Sequence, residues 1–354
     1  MNNHYDNPMG TDGFEFIEYT AENTHLLSEL FTNMGFTLSA HHRSKNVELF
    51  QQGDTNFIIN HEPNSYAKSY ARVHGPSVCA FGIRVKNANV AFDHAIKCGA
   101  MPVQTPTGPM ELNIPAIRGV GGSLLYMIDR YGEDNIYDID FPRVSQSDNP
   151  LINPDESGIK NIDHITHNVH RGRMDEWAYF YKILFNFREI RYFDIKGLKT
   201  GLKSRAMVSP CGKIRIPINE STDDKSQIEE YLTAYNGEGI QHIAMVTDDI
   251  YKTVEKLREN NIQFLSVPDS YYEMIEQRLP GHKEDTLRMK RDRILIDGSV
   301  DESENLLLQI FTENVIGPIF FEIIQRKGNE GFGEGNFQAL FESIEREQMQ
   351  RGVL

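Results

Sequence analysis

Two histidines and one glutamate stand in apolar segments of the sequence, far apart along the chain. His164 lies between isoleucines of the segment 162–166, His242 begins the segment 242–245, and Glu322 has two large apolar residues on each side. A carboxylate buried alone among such residues is costly unless it is paired or bound to a metal. Two neutral imidazoles and one carboxylate form the facial set that holds non-heme Fe(II) and leaves coordination positions open. The sequence therefore predicts a metal site at these residues.

An internal repeat is the reason to expect these residues to meet in space. Three pairs of segments align: 16–20 with 162–166, 80–83 with 242–245, and 124–130 with 320–326. In this alignment the first half of the chain has Glu18, Ala80 and Tyr126 where the second half has the two histidines and the glutamate. We therefore predict one metal site in the second half and a metal-free, structural first half that also serves oligomerisation.

The elements that position these residues follow from apolar periodicity. Helical spacing predicts helices at 22–34, 89–97, 174–185 and 250–260, and alternation or β-branched runs predict strands at 47–60, 203–208 and 214–218. An insertion at 269–298 has helical spacing at 270–279. The lengths fit an α+β fold of two tandem open β-barrel domains, each built from two β-α-β-β-β modules.

Domain limits come from composition. The segment 142–158 contains three prolines among Ser, Asn and Asp, which is typical of a connector. We therefore predict an N-terminal domain at 13–141, a linker at 142–158 and a catalytic domain at 159–354.

The end of the chain has helical spacing at Phe337, Leu340, Phe341 and Ile344, with Asn336 as the expected N-cap. A glycine-rich segment, 331–335, precedes it. The helix either packs into the core or closes over a cavity as a lid.

Composition limits the class of partner. The 354 residues carry a formal net charge of -15, from 36 Lys+Arg against 51 Asp+Glu, which opposes binding to nucleic acid or to an anionic membrane. Apolar runs long enough to span a membrane and a signal peptide are both lacking. Cys79, Cys98 and Cys211 are isolated and odd in number. We expect a cytoplasmic protein with reduced thiols that acts on a small molecule.

The donor set alone leaves the metal open between Fe(II) and catalytic Zn2+. Zinc hydrolases with such ligands usually place both histidines on one helix at close spacing, whereas His164 and His242 belong to separate predicted strands. This difference favours iron.

Several segments, in this order, resemble 4-hydroxyphenylpyruvate dioxygenases, a family of the vicinal-oxygen-chelate (glyoxalase-like) superfamily. They are IDHITHNV (162–169), IPINE (216–220), GIQHIA (239–244), LLQIFT (307–312), FEIIQR (321–326) and GFGEGNF (331–337), followed by Leu340 and Phe341. The resemblance covers nearly the whole chain, and the closing residues 351–354 fit a bacterial member, of the legiolysin type.

The resemblance implies Fe(II) bound by His164, His242 and Glu322, and a terminal helix that gates the site. It implies substrate contacts from nine further residues: Ser204, Asn219, Gln227, Gln241, Gln309, Phe311, Phe320, Phe332 and Phe337. Phe332 and Phe337 are expected to sandwich the aromatic ring.

The activity that the resemblance implies is conversion of 4-hydroxyphenylpyruvate and O2 to homogentisate and CO2, in tyrosine and phenylalanine catabolism, by a homodimer or homotetramer. Three alternatives stay open at this point. A hydroxymandelate synthase would share the substrate and ligands, and a bulky Phe337 opposes it. A glyoxalase-type lyase usually has four protein ligands, and a metal-free binding protein has no need of the three ligand residues.

Overall fold

The computed structural model describes residues 5–108, 110–142, 156–196, 201–299 and 302–337, in which sixteen strands form two sheets. The strands of the first half are β1 (Thr11–Thr20), β2 (Thr37–His41), β3 (Val47–Gln52), β4 (Thr55–Asn60), β5 (Ser77–Val85), β6 (Pro102–Val103), β7 (Ala116–Arg118) and β8 (Leu124–Ile128). Those of the second half are β9 (Ile159–Val169), β10 (Arg188–Lys196), β11 (Gly201–Val208), β12 (Arg215–Ser221), β13 (Gly239–Thr247), β14 (Leu295–Ser299), β15 (Glu302–Phe311) and β16 (Phe320–Lys327).

Helices connect these strands. In the first half they are α1 (His25–Asn33), α2 (Tyr66–His74), α3 (Ala88–Lys97) and α4 (Tyr137–Asp140). In the second half they are α5 (Met174–Phe185), α6 (Gln227–Tyr235), α7 (Ile250–Glu259), α8 (Asp269–Glu273), α9 (Ile275–Arg278) and α10 (Thr286–Asp292). The described part of the chain holds no helix that is long and apolar enough to cross a membrane.

The two sheets have the same topology. Their strand orders are β2-β3-β4-β1-β5-β8-β7-β6 and β10-β11-β12-β9-β13-β16-β15-β14. In each sheet the first strands of two β-α-β-β-β modules, β1 with β5 and β9 with β13, pair antiparallel at the centre. The last strand of each module pairs parallel with the first. The predicted α+β fold of two open barrels is confirmed.

Local sequence explains the elements that flank the site. Helix α5 has the predicted bounds, and α7 begins at Ile250, where the side chain of Asp249 accepts from the backbone N–H of Lys252 as an N-cap. Ile250, Val254 and Leu257 form its buried face. Helices α2 and α6, which join the modules, were not predicted.

The strand pairing shows that the alignment of segment 16–20 with segment 162–166 is wrong by two residues. Phe16 lies opposite Gly82, which neighbours Tyr126, whereas His164 lies opposite Ala244, which neighbours Glu322. Phe16 is therefore the counterpart of His164, and Glu18 is the counterpart of Thr166. The prediction that Glu18 occupies the position of His164 is wrong, because a shift of two residues leaves the alternation of apolar residues in a strand unchanged.

The two halves share one core. Phe57 of β4 stacks on Phe321 of β16, with ring centroids 5.8 Å apart and planes at 18°. The ring of Phe36 stacks on the same Phe57 at 4.4 Å. Because Phe321 precedes Glu322, a residue of the first half supports the strand that carries the predicted carboxylate ligand.

Two predictions fall at the edges of the described residues. Most of the predicted linker lies outside them, as do Leu340, Phe341 and Ile344. Residues 334–337 are already helical, and we call them the terminal helix. Asn336 is the third residue of this helix, and the backbone N–H groups of Asn336 and Phe337 bond to the carbonyl of Gly333. The prediction that Asn336 is the N-cap is wrong, because the helix starts two residues earlier.

Candidate metal centre

Strand pairing brings the three predicted ligands together. Strand β13 lies between β9 and β16, so that His164, Ala244 and Glu322 form one row across the sheet. His242 stands two residues before Ala244 and points to the same face. Oε2 of Glu322 lies 3.2 Å from Nε2 of His164 and 3.4 Å from Nε2 of His242. The three ligand atoms lie within 4.8 Å of one another, and all three residues are buried.

A β-bulge precedes each histidine and orients its ring. Asp163 has no partner on β13, and Gln241 has none on β9, because the pairing skips both residues. Nδ1 of His164 donates to Oδ1 of Asp163 at 2.8 Å, and Nδ1 of His242 donates to Oε1 of Gln241 at 2.9 Å. Each ring therefore turns Nε2 toward Glu322. Fixing one imidazole nitrogen with a neighbouring acceptor is the usual arrangement at a metal site.

Asp163 is itself held by two arginines. Nε and Nη2 of Arg326 donate to its two oxygens at 2.8 Å each, and Nη1 of Arg215 donates at 3.2 Å. The sequence reasoning missed both Asp163 and Arg326. Two features of the sequence could have indicated these residues. Asp163 is a carboxylate in an apolar segment directly before His164, and Arg326 is a cation four residues after Glu322.

The second oxygen of Glu322 also has a partner. Nε2 of Gln309 donates to Oε1 of Glu322 at 2.8 Å, which leaves Oε2 to face the histidines. Gln309 was predicted as a substrate contact. In the structure its side chain is buried behind Glu322 and does not line the cavity described below.

Charges at the site favour a bound cation. Burial opposes a charged imidazole at His164, but the carboxylates of Asp163 and Glu322 outweigh it and raise the pKa of this histidine. Burial also opposes ionisation of Glu322, yet the two histidines bring the pKa of its carboxyl below its usual range. Desolvation lowers the pKa of His242. A neutral His242 and an ionised Glu322 are forms that bind a divalent metal. The two carboxylates that favour a positive charge on His164 would equally favour a metal cation beside it, so the donor set fits one.

Two further polar residues lie on β9 near the ligands. Thr166, which was not predicted, is buried with its hydroxyl 2.9 Å from Nε2 of His242. His167, three residues after His164, points to the opposite face of the strand. It is fully buried there, with Nε2 2.6 Å from the hydroxyl of Tyr181, and burial lowers its pKa to about 3. A neutral His167 is therefore part of the core.

Aromatic rings cover the ligand histidines. Phe320 stacks on His242 with centroids 4.8 Å apart and planes at 18°, and Phe332 meets His164 edge-on at 5.4 Å. The ring of Phe311 meets Phe320 edge-on at 5.9 Å. The side of the site that faces away from the sheet is thus apolar.

A cavity of about 190 Å³ opens beside the three ligand residues. Eight of the nine residues predicted to contact substrate line it: Ser204, Asn219, Gln227, Gln241, Phe311, Phe320, Phe332 and Phe337. Thr166, Phe193 and Ile195 also contribute to its wall. A ring-sized apolar chamber with a few amides and hydroxyls suits one aromatic acid.

The first half has no such arrangement at the equivalent place. Phe16, Ala80 and Tyr126 are the counterparts of His164, His242 and Glu322, and the rings of Phe16 and Tyr126 lie 5.7 Å apart. Both rings belong to an apolar cluster that includes Ile58 and Ile128. The position of the ligands in one half is filled by packed side chains in the other.

Comparison with known proteins agrees with this geometry. Residues 5–142 match the family described as hydroxyphenylpyruvate dioxygenase, HPPD, N-terminal, and residues 161–274 match the glyoxalase/bleomycin resistance protein/dioxygenase superfamily. A 4-hydroxyphenylpyruvate dioxygenase of Pseudomonas aeruginosa is 56% identical over 98% of this chain and 97% of its own. The chain belongs to the 4-hydroxyphenylpyruvate dioxygenase family.

Other similar proteins carry different names. A protein of Vibrio vulnificus named hemolysin VllY is 60% identical to this chain over 98% of each. A mutant 4-hydroxymandelate synthase of Streptomyces coelicolor has a TM-score of 0.80 over 96% of this chain and 100% of its own, at 22% identity. That likeness shows a shared fold, and the sequence relatives place the chain among the 4-hydroxyphenylpyruvate dioxygenases.

Proposed function

We propose that this chain is an Fe(II)-dependent dioxygenase that converts 4-hydroxyphenylpyruvate and O2 to homogentisate and CO2, incorporating both oxygen atoms, in tyrosine and phenylalanine catabolism. The buried group of His164, His242 and Glu322 beside an aromatic cavity is the observation that carries the proposal. Full-length similarity to the dioxygenase of Pseudomonas aeruginosa supports the same substrate.

Iron is the proposed metal, with His164, His242 and Glu322 as its ligands. Three protein donors leave positions for a 2-oxo acid, which binds through two oxygens, and for O2. Bound iron supplies the activation of O2, which the closed-shell side chains of the protein cannot provide. Zn2+ fits the same donors, so metal loading with each ion is part of the test.

The cavity walls are proposed to orient the substrate. Phe332 and Phe337 would hold the aromatic ring, and Phe311 and Phe320 would keep water from the reacting atoms. The polar contacts are assigned to Ser204, Asn219, Gln227 and Gln241. Gln309, which was predicted to make one as well, acts on Glu322 from behind. The terminal helix, which carries Phe337, would close the cavity.

The two halves are proposed to have separate roles. Residues 159–354 form the catalytic domain, and residues 13–141 form a metal-free domain for support and oligomerisation, joined by 142–158. The packed Phe16 and Tyr126 support this division, because they leave no donors where the ligands stand in the other half. A homodimer or homotetramer in the cytoplasm is proposed, and three free cysteines fit a reducing compartment.

The test is a product analysis. The purified protein is loaded with Fe(II) under anaerobic conditions and then given 4-hydroxyphenylpyruvate and O2, and the product is identified by chromatography. Homogentisate with release of CO2 supports the proposal. Absence of O2 uptake by folded, iron-loaded protein contradicts it and favours a lyase or a binding protein.

Hydroxymandelate synthase is the second candidate, because a structural relative of that kind has the same fold. It would use the same substrate and ligands and would hydroxylate the side chain instead of the ring. Phe337 in the cavity wall favours ring hydroxylation. Hydroxymandelate as the product would keep the iron site and overturn the proposed regiochemistry.

A further inference from the structure

Asn336 has a buried side chain at the start of the terminal helix, next to the cavity residue Phe337. Its amide donates to Oε1 of Gln309 at 2.5 Å. Its Oδ1 accepts from the hydroxyl of Tyr271 at 2.6 Å and from Nη2 of Arg278 at 3.3 Å. Asn336 therefore joins the terminal helix to strand β15 and to the helical insertion α8–α9.

Gln309 continues this connection to the metal centre. Its Nε2 donates to Oε1 of Glu322 at 2.8 Å, and its Oε1 accepts from Asn336. The hydrogen bonds therefore run from Arg278 through Asn336 and Gln309 to Glu322, and Asn336, Gln309 and Glu322 are buried.

The two ends of this chain of hydrogen bonds fix its direction. The guanidinium of Arg278 can only donate, and an ionised Glu322 can only accept. Gln309 must then present its NH2 group to Glu322 and its oxygen to Asn336. Asn336 must in turn present its NH2 group to Gln309. Only a side chain with both a donor and an acceptor satisfies the position of Asn336.

Two glycines allow the close approach. A Cβ on Gly333 would lie 1.8 Å from Oε1 of Gln309, and a Cβ on Gly335 would lie 2.2 Å from Oδ1 of Asp297. The glycine-rich segment therefore lets the terminal helix begin directly against Gln309. At Gly333 and Gly335, glycine is needed for close packing.

We propose that Asn336 is a positioning residue that couples the terminal helix to the metal ligand Glu322 through Gln309. Metal binding at Glu322 and docking of the terminal helix then stabilise each other, since coupling between two sites is reciprocal. The proposal rests on the proposed metal site. The helix that carries Phe337 is then ordered in part by the metal centre.

The test uses Asn336→Asp, which keeps the size and the acceptor and removes the donor. The new carboxylate still accepts from Tyr271 and Arg278 but has no N–H for Gln309. Gln309 then turns its NH2 group toward it and presents an oxygen to Glu322. We expect about tenfold weaker Fe(II) affinity in anaerobic titrations. We also expect loss of the protection that Fe(II) gives the amides of 333–337 against hydrogen exchange in the wild type.

The matched control is Asn56→Asp in the first half. Asn56 is also buried, and its amide donates to the carbonyl of Glu15 at 2.8 Å, within the sheet of the first half. This control should keep wild-type Fe(II) affinity and protection. If Asn336→Asp does not fold, Tyr271→Phe, which removes one partner of Asn336, should still reduce the Fe(II)-dependent protection of 333–337.

Three results overturn the proposal. If Asn336→Asp has the Fe(II) affinity and the protection of the wild type, the coupling does not exist. If the control loses as much affinity, the effect is general destabilisation. If the wild type binds no Fe(II), the proposed function fails as well, so the two failures are distinguishable.

Discussion

Asp163 and His164 are consecutive residues of one strand, yet Oδ1 of Asp163 lies 2.8 Å from Nδ1 of His164. Side chains of consecutive strand residues ordinarily point to opposite faces, and the bulge at Asp163 permits the contact. The first half has the equivalent bulge at Glu15, before Phe16. The bulge therefore belongs to the repeat. In the second half, the proposed metal ligand His164 and the carboxylate that orients it lie at this bulge.

The first prediction concerns this supporting carboxylate. Asp163→Asn should weaken Fe(II) affinity by about 10–100-fold, because loss of a partner that orients a ligand histidine has that cost. Anaerobic Fe(II) titration measures it, with circular dichroism to confirm folding. The matched control is Glu15→Gln, at the equivalent bulge of the first half. Equal weakening in both variants would show that Asp163 has no specific role at the metal centre.

The second prediction concerns the shared core. Phe57→Ala in the first half should lower the free energy of unfolding of the second half by about 3–5 kcal/mol, because Phe57 stacks on Phe321 and a large cavity would remain. Trp177 in α5 is the chain's single tryptophan, so its fluorescence reports the second half. The exposed Leu26→Ala should change little. A Trp177 transition unmoved by Phe57→Ala would mean that the halves unfold independently.

The third prediction concerns pH. The pKa of buried His167 is lowered to about 3, whereas an unfolded histidine titrates near pH 6.5. Between these values the unfolded chain binds the extra proton, so stability falls as pH falls. From pH 7 to pH 5 this histidine should account for about 2 kcal/mol of lost stability. The free energy of unfolding, measured with urea on the metal-free protein, should depend less steeply on pH in His167→Asn than in the wild type. The same pH dependence in the variant and the wild type would contradict a neutral, buried His167.

The fourth prediction concerns the cavity wall. Phe337→Leu removes a ring contact worth about 0.5–1.5 kcal/mol, so KM for 4-hydroxyphenylpyruvate should rise by about twofold to thirteenfold. A looser ring should also lower the share of homogentisate among the products. Steady-state kinetics and chromatography measure both effects, with Phe92→Leu, on α3 of the first half, as the control. Unchanged KM and products would remove Phe337 from the substrate site.

Most of the fold could be predicted from the sequence, because the spacing of apolar residues shows the same order of strands and helices in both halves. Helix α5 has its predicted bounds, and the predicted ligands His164, His242 and Glu322 lie on neighbouring strands and meet in space. Each lies in an apolar strand where an unpaired polar group would be costly.

The remaining features depend on pairing between distant strands. The register of the repeat was misjudged by two residues, because a shift of two residues leaves the alternation of apolar residues in phase, and only the strand pairing separates the two alignments. The position of Gln309 behind Glu322 and the internal place of Asn336 in the terminal helix likewise depend on tertiary contacts. Neither local propensity nor spacing contains that information.

The most direct measurement is equilibrium binding of Fe(II), under anaerobic conditions, to the wild type and to Glu322→Gln. The glutamine has the shape of the glutamate and lacks its charge. We predict one Fe(II) per chain in the wild type. In the variant we predict binding more than about a hundredfold weaker, beyond the loss typical of a residue that only supports a ligand, with folding retained. Equal affinity in the two proteins, or two bound Fe(II) per chain, would contradict a single metal centre at His164, His242 and Glu322.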